Sequence, residues 1–487
     1  MTAPPTPRRT SPRIVLVHTV TFRQARQFVP ALIPVIAATG LDGPVTIIAL
    51  ALGVTLFSLA VAAVSWWRFG YSDGPAAVVV TRGLLSRSVR TVPNDRIRGV
   101  EVEAPALHRL FGLVRVRIDA AAGAAGQEEE LVVDGVTSAE GDRLRVAVLT
   151  HQSPAIRVGR HAADPEDDEE ELSRWENRWL FFAPLVGSYL ALPLAAIGAL
   201  FRLAEELPDD LLGEVWDLDL PAGWVLGAVA LGLVLLVVAG AIVGAAVVNW
   251  RFRLVRRGGS LIAVRGLLTR RHTELELDRI RGVTVTEGLG MRLVGAARAG
   301  ALVTGLGDAE RRGQLLPLGP REEAWALTHR LAGDPGPLRP HPPAAFRRRA
   351  LRALSAGLLV SAGGGVLMAT TGRWDVLAVG IALTLLGIPL ARGYYTALGH
   401  TTGPRSFSVR RGWLMREQAV LERRAVVGWQ VRQTLFQRRA GLATVTACVG
   451  AGSGGYAAVD MAATDAAGFA VTASGPWAGA LVAPRES

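Results

Sequence analysis

The stretch AVVVTRGLLSRSVRTVPNDRIRGVEV at Ala77–Val102 recurs as IAVRGLLTRRHTELELDRIRGVTV at Ile262–Val285. The shared Arg-Gly-Leu-Leu and Arg-Ile-Arg-Gly segments keep one offset, so that Gly83 recurs as Gly266, 183 positions later. A more diverged copy, FSVRRGWLMREQAVLERRAVVGWQV, occupies Phe407–Val431 and lacks both arginines of the Arg-Ile-Arg-Gly segment. Self-similarity at a long, fixed spacing is the signature of a repeated structural unit. The chain therefore contains one unit three times.

Each copy has the pattern of short β-strands joined by tight turns. Runs rich in Val, Leu and Thr alternate with Gly, Asn-Asp and Arg segments, which is the spacing of β-hairpins. At the Arg-Gly turn, Gly83 supplies the positive φ that a tight turn requires. A closing helix is predicted in each copy, over Thr137–Leu149 with a capping box of Thr137 and Glu140, over Arg321–Leu331, and over Met461–Ala473.

Apolar stretches precede each β region. The 487 residues are 50% hydrophobic and have a mean hydropathy of +0.30, which is too apolar for a soluble protein of this size. Crossing a bilayer takes roughly 20 residues. The sequence predicts six transmembrane helices, at about 25–41, Pro44–Val64, Trp179–Phe201, Trp224–Val248, Leu354–Thr370 and Val376–Ala391. They form three hairpins; the first stretch is short and contains two prolines, so a re-entrant segment is its alternative.

The arginines next to these helices predict their orientation. Arginines cluster before the first helix, after the fourth and before the fifth, whereas the loop Arg202–Ala222 has one Arg and seven acidic residues. Basic residues near the ends of transmembrane helices mark the cytoplasmic side. We therefore expect a multi-pass protein of a bacterial plasma membrane, with both termini and all three β regions in the cytoplasm.

Several classes of chemistry find no support in the sequence. All 53 basic residues are arginines, and the single cysteine, Cys448, rules out a disulfide framework or a cysteine-based zinc site. The eight histidines have no metal-ligand spacing beside a carboxylate, and no catalytic motif is found. No aromatic-basic platform accompanies the net charge of +11, so nucleic acid is not an expected partner. The sequence predicts no catalytic residue, metal or cofactor.

Two arginine pairs are the candidate contact residues. Arg96 and Arg98 recur as Arg279 and Arg281, and residues two apart on a strand project to one side. They could pair with neighbouring acidic residues, meet anionic lipid headgroups at about 1 kcal/mol each, or recognise a specific ligand. All three alternatives stay open at this stage.

An acidic run, Asp164–Glu171, lies just before the third apolar stretch. A solvated, self-repelling linker is the plain interpretation. The alternative is an intramolecular cover for an Arg-rich face, which would leave that face when anionic lipid or a partner competes for it.

The repeated unit resembles the bacterial PH-domain membrane proteins of the YdbS/YdbT-like group, and three tandem units resemble its long, three-repeat members. The resemblance covers about Val15 to Ala480. It is carried by the aromatic-Arg exit from the hairpins, the Arg-Gly-Leu-Leu turn, the Arg-Ile-Arg-Gly-Val segment and FQRRAGLATVTACVGAG at Phe436–Gly452. It implies PH-like domains, each a strongly bent antiparallel sheet with a C-terminal helix.

The predicted fold class is therefore an α+β membrane protein with six transmembrane helices in three hairpins, each hairpin followed by a cytoplasmic PH-like β domain with a C-terminal helix. The predicted segments are the N-terminal tail 1–24, hairpin 1 at 25–66, PH-like domain 1 at 67–155, an acidic linker at 156–175, hairpin 2 at 176–250 with an acidic external loop at 202–222, PH-like domain 2 at 251–335, a Pro/Arg linker at 336–350, hairpin 3 at 351–392, and PH-like domain 3 at 393–487.

The preferred function is a non-enzymatic membrane scaffold that presents three PH-like domains for binding proteins or lipid headgroups. The family resemblance adds a link to envelope stress or antimicrobial-peptide tolerance, and a smaller PH-domain membrane protein as a partner. The alternative is a lipid- or peptide-handling transporter or exporter component, which predicts a polar cavity among the helices. An enzyme would need an active site that the sequence does not contain.

Overall fold

The computed structural model describes residues 8–21, 44–83, 88–94, 97–120, 129–150, 169–205, 222–304 and 313–474. The chain divides into two compact units. Unit 1 comprises Met1–Arg174, Val247–Glu276 and Gly305–Gly307, and unit 2 comprises Trp175–Ala246, Leu277–Thr304 and Asp308–Ser487. The division falls inside the second repeat.

The helices are of two kinds, long apolar helices and short helices within the β domains. The long ones are α2 (Pro44–Arg68), α5 (Gly187–Glu205), α6 (Ala222–Asn249), α9 (Pro343–Thr371) and α10 (Asp375–Thr396). The others are α1 (Ile14–Val20), α3 (Ala106–Leu110), α4 (Ser138–Thr150), α7 (Leu289–Leu293), α8 (Arg321–Ala332), α11 (Leu435–Arg439) and α12 (Ala466–Thr472).

Three of the long helices have the length and apolar character to cross a membrane: Leu226–Asn249 within α6, and the whole of α9 and α10. A fourth span arises if the 3₁₀ segment Asn177–Leu185 and α5 count as one, but they are bent by 68°. The continuous helix predicted over Trp179–Phe201 is therefore wrong. Pro184 lies at the end of the 3₁₀ segment and cannot donate a backbone hydrogen bond there, which accounts for the break.

The other predicted spans have different outcomes. The segment at 25–41 lies outside the described residues, so six transmembrane helices remain a prediction. The predicted span Pro44–Val64 lies within helix α2, whose side chains are described only from Leu52 onward. The acidic loop at 202–222 also lies largely outside the described residues.

Each repeat contributes two groups of three antiparallel strands. Repeat 1 has β1 (Gly70–Asp73), β2 (Ala77–Arg82), β3 (Ser88–Pro93), β4 (Ile97–Ala104), β5 (Leu113–Ala120) and β6 (Glu129–Thr137). Repeat 2 has β8 (Arg253–Arg257), β9 (Ser260–Arg265), β10 (Arg270–Glu276), β11 (Ile280–Gly288), β12 (Ala296–Val303) and β13 (Gln314–Pro320), and β7 (Glu169–Arg174) precedes its hairpin. Repeat 3 has β14 (Gly399–Thr402), β15 (Ser406–Arg411), β16 (Met415–Glu422), β17 (Val426–Arg432), β18 (Leu442–Val449) and β19 (Gly455–Ala462).

The sheets do not coincide with the repeats. In unit 1, one sheet has the order β1-β2-β3 and another has the order β6-β5-β4-β10-β9-β8-β7. In unit 2, one sheet has the order β13-β12-β11-β16-β15-β14 and another has the order β17-β18-β19. The second half of each of the first two repeats therefore shares a sheet with the first half of the next repeat.

The predicted closing helices pack as expected in the first two copies. Helix α4 covers repeat 1, where Leu144 and Val148 join a core made from both groups of strands. The amide of Glu140 donates to the Thr137 hydroxyl at 3.4 Å, as the predicted capping box requires. Helices α4 and α8 confirm the predictions to within a residue. The third helix is confined to α12, because Met461 continues β19 instead of starting a helix.

A segment that precedes each hairpin in sequence forms backbone hydrogen bonds with the first strand that follows the hairpin. Arg8 exchanges backbone hydrogen bonds with Tyr71 of β1 at 2.7 and 2.9 Å, and β7 pairs along β8. In unit 2, Arg339 forms the corresponding bridge to His400 of β14. In each case the backbone pairing joins chain that precedes a hairpin to chain that follows it.

Candidate functional site

The four sequence-predicted arginines fall partly outside the described structure. Arg96 is not described, and Arg98 lies on β4 with its side chain undescribed. Arg279 lies in the turn between β10 and β11, and Arg281, the second residue of β11, donates to the backbone carbonyl of Asp278 in that turn at 2.8 Å. Arg281 therefore braces this turn, and the contacts of all four with lipid or a partner remain predictions.

The connection between repeats 1 and 2 is an antiparallel strand pair, β4 with β10, here called joint 1. Glu101 lies opposite Thr273, and Glu103 lies opposite Arg271. Glu103 is only 3% exposed, and its carboxylate is 3.3 Å from Arg271 and 3.4 Å from Arg117. A buried carboxylate is tolerated only when it is paired in this way, so joint 1 combines backbone hydrogen bonds with a buried charge network.

The connection between repeats 2 and 3 is the strand pair β11 with β16, here called joint 2. Glu287 lies opposite Arg416 and is 3.8 Å from it, with Arg321 at 2.8 Å from the same carboxylate. Glu287 is buried, like Glu103 in joint 1. A buried Glu-Arg pair across two repeats is therefore common to both joints.

The two joints share one register. Thr284, which follows Glu101 by 183 positions, lies opposite Ala419, just as Glu101 lies opposite Thr273. Ala419 follows Thr273 by 146 positions, the same spacing that separates Gly266 from Gly412. Because a slip of one residue would turn every side chain to the other face, the shared register shows that the joints are one interface used twice.

A side-chain hydrogen bond also recurs in both joints. Arg109 of α3 donates to the backbone carbonyl of Leu267, and Arg292 of α7 donates to the carbonyl of Trp413 at 2.6 Å. Arg292 is the counterpart of Arg109, and Trp413 is the counterpart of Leu267. Each joint thus has an arginine that holds the Arg-Gly turn of the next repeat. Gly266 and Gly412 shape these turns at φ 105° and 83°.

A buried polar cluster ties hairpin 3 to the third β domain; we call it the Asp460 cluster. Asp460 of β19 is fully buried and accepts from Arg349 at 2.9 Å, from Gln437 at 2.8 Å and from Arg348. His341 approaches the backbone carbonyl of Asp460 at 3.1 Å. Since both arginines lie in the first turns of α9, this cluster fixes the point where the chain enters the hairpin.

His341 is a buried, neutral member of this cluster. Burial, together with the adjacent His400, lowers its pKa to about 4, against a smaller opposing effect of the Asp460 backbone. The ring nitrogens of His341 and His400 lie 3.1 Å apart. Tyr395 near the end of α10 donates to the His341 carbonyl at 2.7 Å, so both ends of the hairpin meet at this histidine.

Repeat 1 has a polar cluster around Asp134 of β6. Asp134 contacts His108 at 2.8 Å, His18 at 3.3 Å and Arg115 at 3.1 Å. Burial opposes its ionisation, but the hydrogen bonds from His108, His18 and Arg115 prevail and hold the pKa of Asp134 well below its usual range. His18 lies on α1, so this cluster binds the segment before the first apolar stretch to the β domain.

The last part of the acidic run pairs with an Arg-rich strand. Glu169 lies opposite Arg257 and Glu170 opposite Arg256 along β7 and β8. Glu169 forms an ion pair with Arg257, and Glu171 lies 3.8 Å from Arg253. Of the two interpretations of Asp164–Glu171, the structure supports the intramolecular cover for Glu169–Glu171. The preceding residues of the run lie outside the described residues.

Hairpin 3 is packed through small residues. A Cβ at Gly364 would lie 2.5 Å from the backbone nitrogen of Leu377, and one at Gly380 would lie 2.4 Å from that of Ser361. Gly357 meets Thr384 in the same way. Small residues let membrane helices approach closely, and α9 and α10 leave no room for a passage between them.

Within the part of the chain that the structure describes, no group of three or more His, Cys, Asp and Glu side chains is placed to hold a metal. The Asp134 and Asp460 clusters were not predicted from the sequence because each includes a partner more than a hundred residues away, His18 for Asp134 and Arg349 for Asp460. One signal was present: Asp460 is a lone acid in the apolar strand YAAVDMA, and such a residue has to find a cationic partner.

The bacterial PH domain family model matches three regions of the chain, residues 25–150, 198–331 and 354–469, which together cover more than half of it. The chain is 25% identical over 295 residues to UPF0699 transmembrane protein YdbT of Bacillus subtilis (strain 168), an alignment that covers 58% of this chain and 59% of that relative. No solved structure matches it significantly. The three matched regions each contain one of the structural repeats, and the chain belongs to the bacterial PH domain family.

Proposed function

We propose that this protein is a non-enzymatic membrane scaffold that presents three PH-like domains at the cytoplasmic face of the plasma membrane. The observation that carries the proposal is the repeated joint: two consecutive connections use the same strand register and the same arginine-to-turn hydrogen bond. Each joint fixes the pairing of one repeat with the next, and a fixed connection between neighbouring repeats is what a scaffold requires.

The clusters at the hairpin ends support the same function. The Asp460 cluster and the backbone bridges before each hairpin tie the membrane helices to their β domains. The close packing of α9 and α10 favours an anchoring role over a transport pathway. The physiological setting that we propose, envelope stress or tolerance to antimicrobial peptides, rests on the family resemblance alone.

The domains would bind through Arg96, Arg98, Arg279 and Arg281, with a protein or anionic headgroups as the ligand. The test places a photo-crosslinking amino acid at each of these four positions in the full chain in living cells. Control chains carry it at Glu322, which is exposed on α8 of a β domain. We expect adducts at the arginine positions, with mass spectrometry separating protein from lipid adducts. Yields equal to those at Glu322 at all four positions would refute the binding role.

The proposed orientation has its own test. In a Cys448→Ser chain, a cysteine at Asp209 should react with a membrane-impermeant maleimide in intact cells. A cysteine at Glu322 should react only after the cells are opened. The reverse pattern would place the β domains outside.

A further inference from the structure

The interface that forms joints 1 and 2 has a third acceptor edge, on β17. β17 is the counterpart of β4 and β11, since Gly428 occupies the position of Gly99 and Gly282. It pairs with β18 on one side, and no described strand pairs with its other side. Val431 is 53% exposed, whereas its counterpart in joint 2, Val285, is 1% exposed. The face that a neighbouring repeat covers in joint 2 is therefore not covered on β17 by any of the described residues.

The third repeat also has the arginine that binds the Arg-Gly turn in joints 1 and 2. Arg438 of α11 is the counterpart of Arg109 and Arg292. Those two arginines each hold a turn of the following repeat. The side chain of Arg438 is exposed, and it has no hydrogen bond or ion pair to the described residues. The third repeat thus presents both parts of the acceptor, a strand edge and a turn-binding arginine.

The matching donor edge lies on β3 in repeat 1. β3 is the counterpart of β10 and β16, and its outer side has no partner among the described strands. Arg90 is exposed on β3, whereas its counterparts Thr273 and Ala419 are 8% and 2% exposed in the joints. Val89 is likewise 53% exposed. Within the part of the chain that the structure describes, there are therefore one unpaired acceptor edge and one unpaired donor edge of the same interface.

We propose that β3 of a second copy of this chain pairs antiparallel with β17, in the register of the two internal joints, so that Arg90 lies opposite Gln430. The proposal rests on the scaffold function and names its partner. The same register sets Ser88 opposite Arg432 and Val92 opposite Gly428, so no like charges face each other across the pair. An unpaired strand edge can pair with a strand of another chain. The edge that is complementary to β17 is β3, which every copy of this chain carries.

This contact joins different surfaces of the two copies, and such heterologous contacts generate rings or open rows. Joint 1 connects repeats 1 and 2, joint 2 connects repeats 2 and 3, and the proposed joint repeats the same connection between chains. The assembly would therefore add further copies of the chain through one kind of joint.

The experiment uses disulfide crosslinking of two full-length chains, both Cys448→Ser, in isolated membranes. One chain carries Gln430→Cys and a first epitope tag, and the other carries Arg90→Cys and a second tag. After oxidation we expect a species with both tags and a shift from 51.6 kDa to twice that mass. The matched control shifts the register by one residue, pairing Val431→Cys with Arg90→Cys, and it should lose the covalent dimer.

A cysteine pair inside joint 2 serves as the positive control, because it tests whether this strand register permits a disulfide. Thr284→Cys with Ala419→Cys occupies the same register in joint 2, so it should lock within one chain without a mass shift. Arg438→Gln should reduce the intermolecular crosslink severalfold. If the internal pair locks and Gln430→Cys with Arg90→Cys yields no dimer, or if Gln430→Cys links to a different protein, the proposal is wrong. That result would leave the arginine photo-crosslinks, and hence the scaffold function, unaffected.

Discussion

Arg349 of the third hairpin donates to Asp460 of the third β domain at 2.9 Å, although the aspartate has no exposed surface. Asp460 also adopts φ 60°, a left-handed conformation that Asn shares most readily among other residues with side chains. It stands at a bulge between β18 and β19. A strained, buried carboxylate persists at this position because it pairs two arginines where the membrane helix begins.

The first prediction concerns this charge. Asp460→Asn keeps the backbone preference but leaves Arg348 and Arg349 without a counter-ion, and breaking a buried pair costs about 3–5 kcal/mol. Cys448 lies on β18 of the same domain and is half-buried, so its labelling by a maleimide reports opening of that domain. We expect faster labelling of the variant at each urea concentration.

The control for this prediction is the exposed ion pair Arg373–Asp375 between α9 and α10, whose side chains are 65% and 52% exposed. Arg373→Gln should change the labelling little, since exposed ion pairs are screened by solvent and contribute little to stability. Equal effects of the two substitutions would show that Asp460 does not anchor the hairpin.

The second prediction is a pH dependence centred on His341. Its pKa of about 4 in the folded protein lies below the value of about 6.5 expected when unfolded. Between these values the unfolded chain binds a proton that the folded chain does not, so stability is full above about pH 6.5 and falls towards pH 4. The loss approaches about 3 kcal/mol at its limit, at about 1.4 kcal/mol per pKa unit.

The measurement is thermal unfolding of the detergent-solubilised chain, followed by tryptophan fluorescence, from about pH 7.5 to about pH 4.5. His341→Asn should be less stable than the wild type at neutral pH and lose less stability on acidification. The pKa of His272 in unit 1 is also lowered, by burial and by Arg145. Because both the wild type and His341→Asn contain His272, its effect on stability is the same in the two proteins. Parallel curves for the two proteins would contradict the assignment to His341.

The third prediction concerns the Arg-Gly turn. Gly266 adopts φ 105°, and a Cβ there would lie 2.0 Å from the carbonyl oxygen of Thr269. Gly266→Ala should therefore destabilise unit 1 by about 2 kcal/mol or more. Gly259 in the same region has open space around a Cβ, and Gly259→Ala is the matched control. Circular dichroism during urea titration should show a lower midpoint only for Gly266→Ala.

Sequence reasoning reached the repeat, the strand pattern, the Arg-Gly turn and the closing helices, because all of these depend on residues close together in the chain. It assigned each β domain to one repeat and missed the sharing of sheets between repeats. The local sequence patterns of β4 and β10 do not predict that these two strands pair with each other. Two partners of Asp134 and Asp460 were missed for the same reason. His18 is distant in sequence from Asp134, and Arg349 is distant from Asp460, so each pair forms only in the folded chain.

The fourth prediction tests the energy of joint 1. Glu103 is buried between Arg117 and Arg271, so Glu103→Gln and Arg271→Gln should each destabilise unit 1. Because the two residues are in contact, the double variant should cost less than the two single variants together, by about 0.5–3 kcal/mol. Urea unfolding of the four proteins gives the coupling energy. Strict additivity would mean that the ion pair adds nothing to the joint.

The last prediction concerns the acidic strand over β8. Glu169→Gln with Glu171→Gln removes two charges that face Arg257 and Arg253 while keeping the size of the side chains. The ion pairs are exposed and contribute little to global stability, but β7 is an edge strand and opens locally at low cost. We expect faster amide hydrogen exchange at Arg253–Arg257 and an unchanged unfolding midpoint. Glu176→Gln, which removes the partner of exposed Arg178 outside the sheet, is the control. Unchanged exchange at β8 would mean that backbone pairing alone holds β7 in place. The charges of Glu169 and Glu171 would then have no part in covering the arginines of β8.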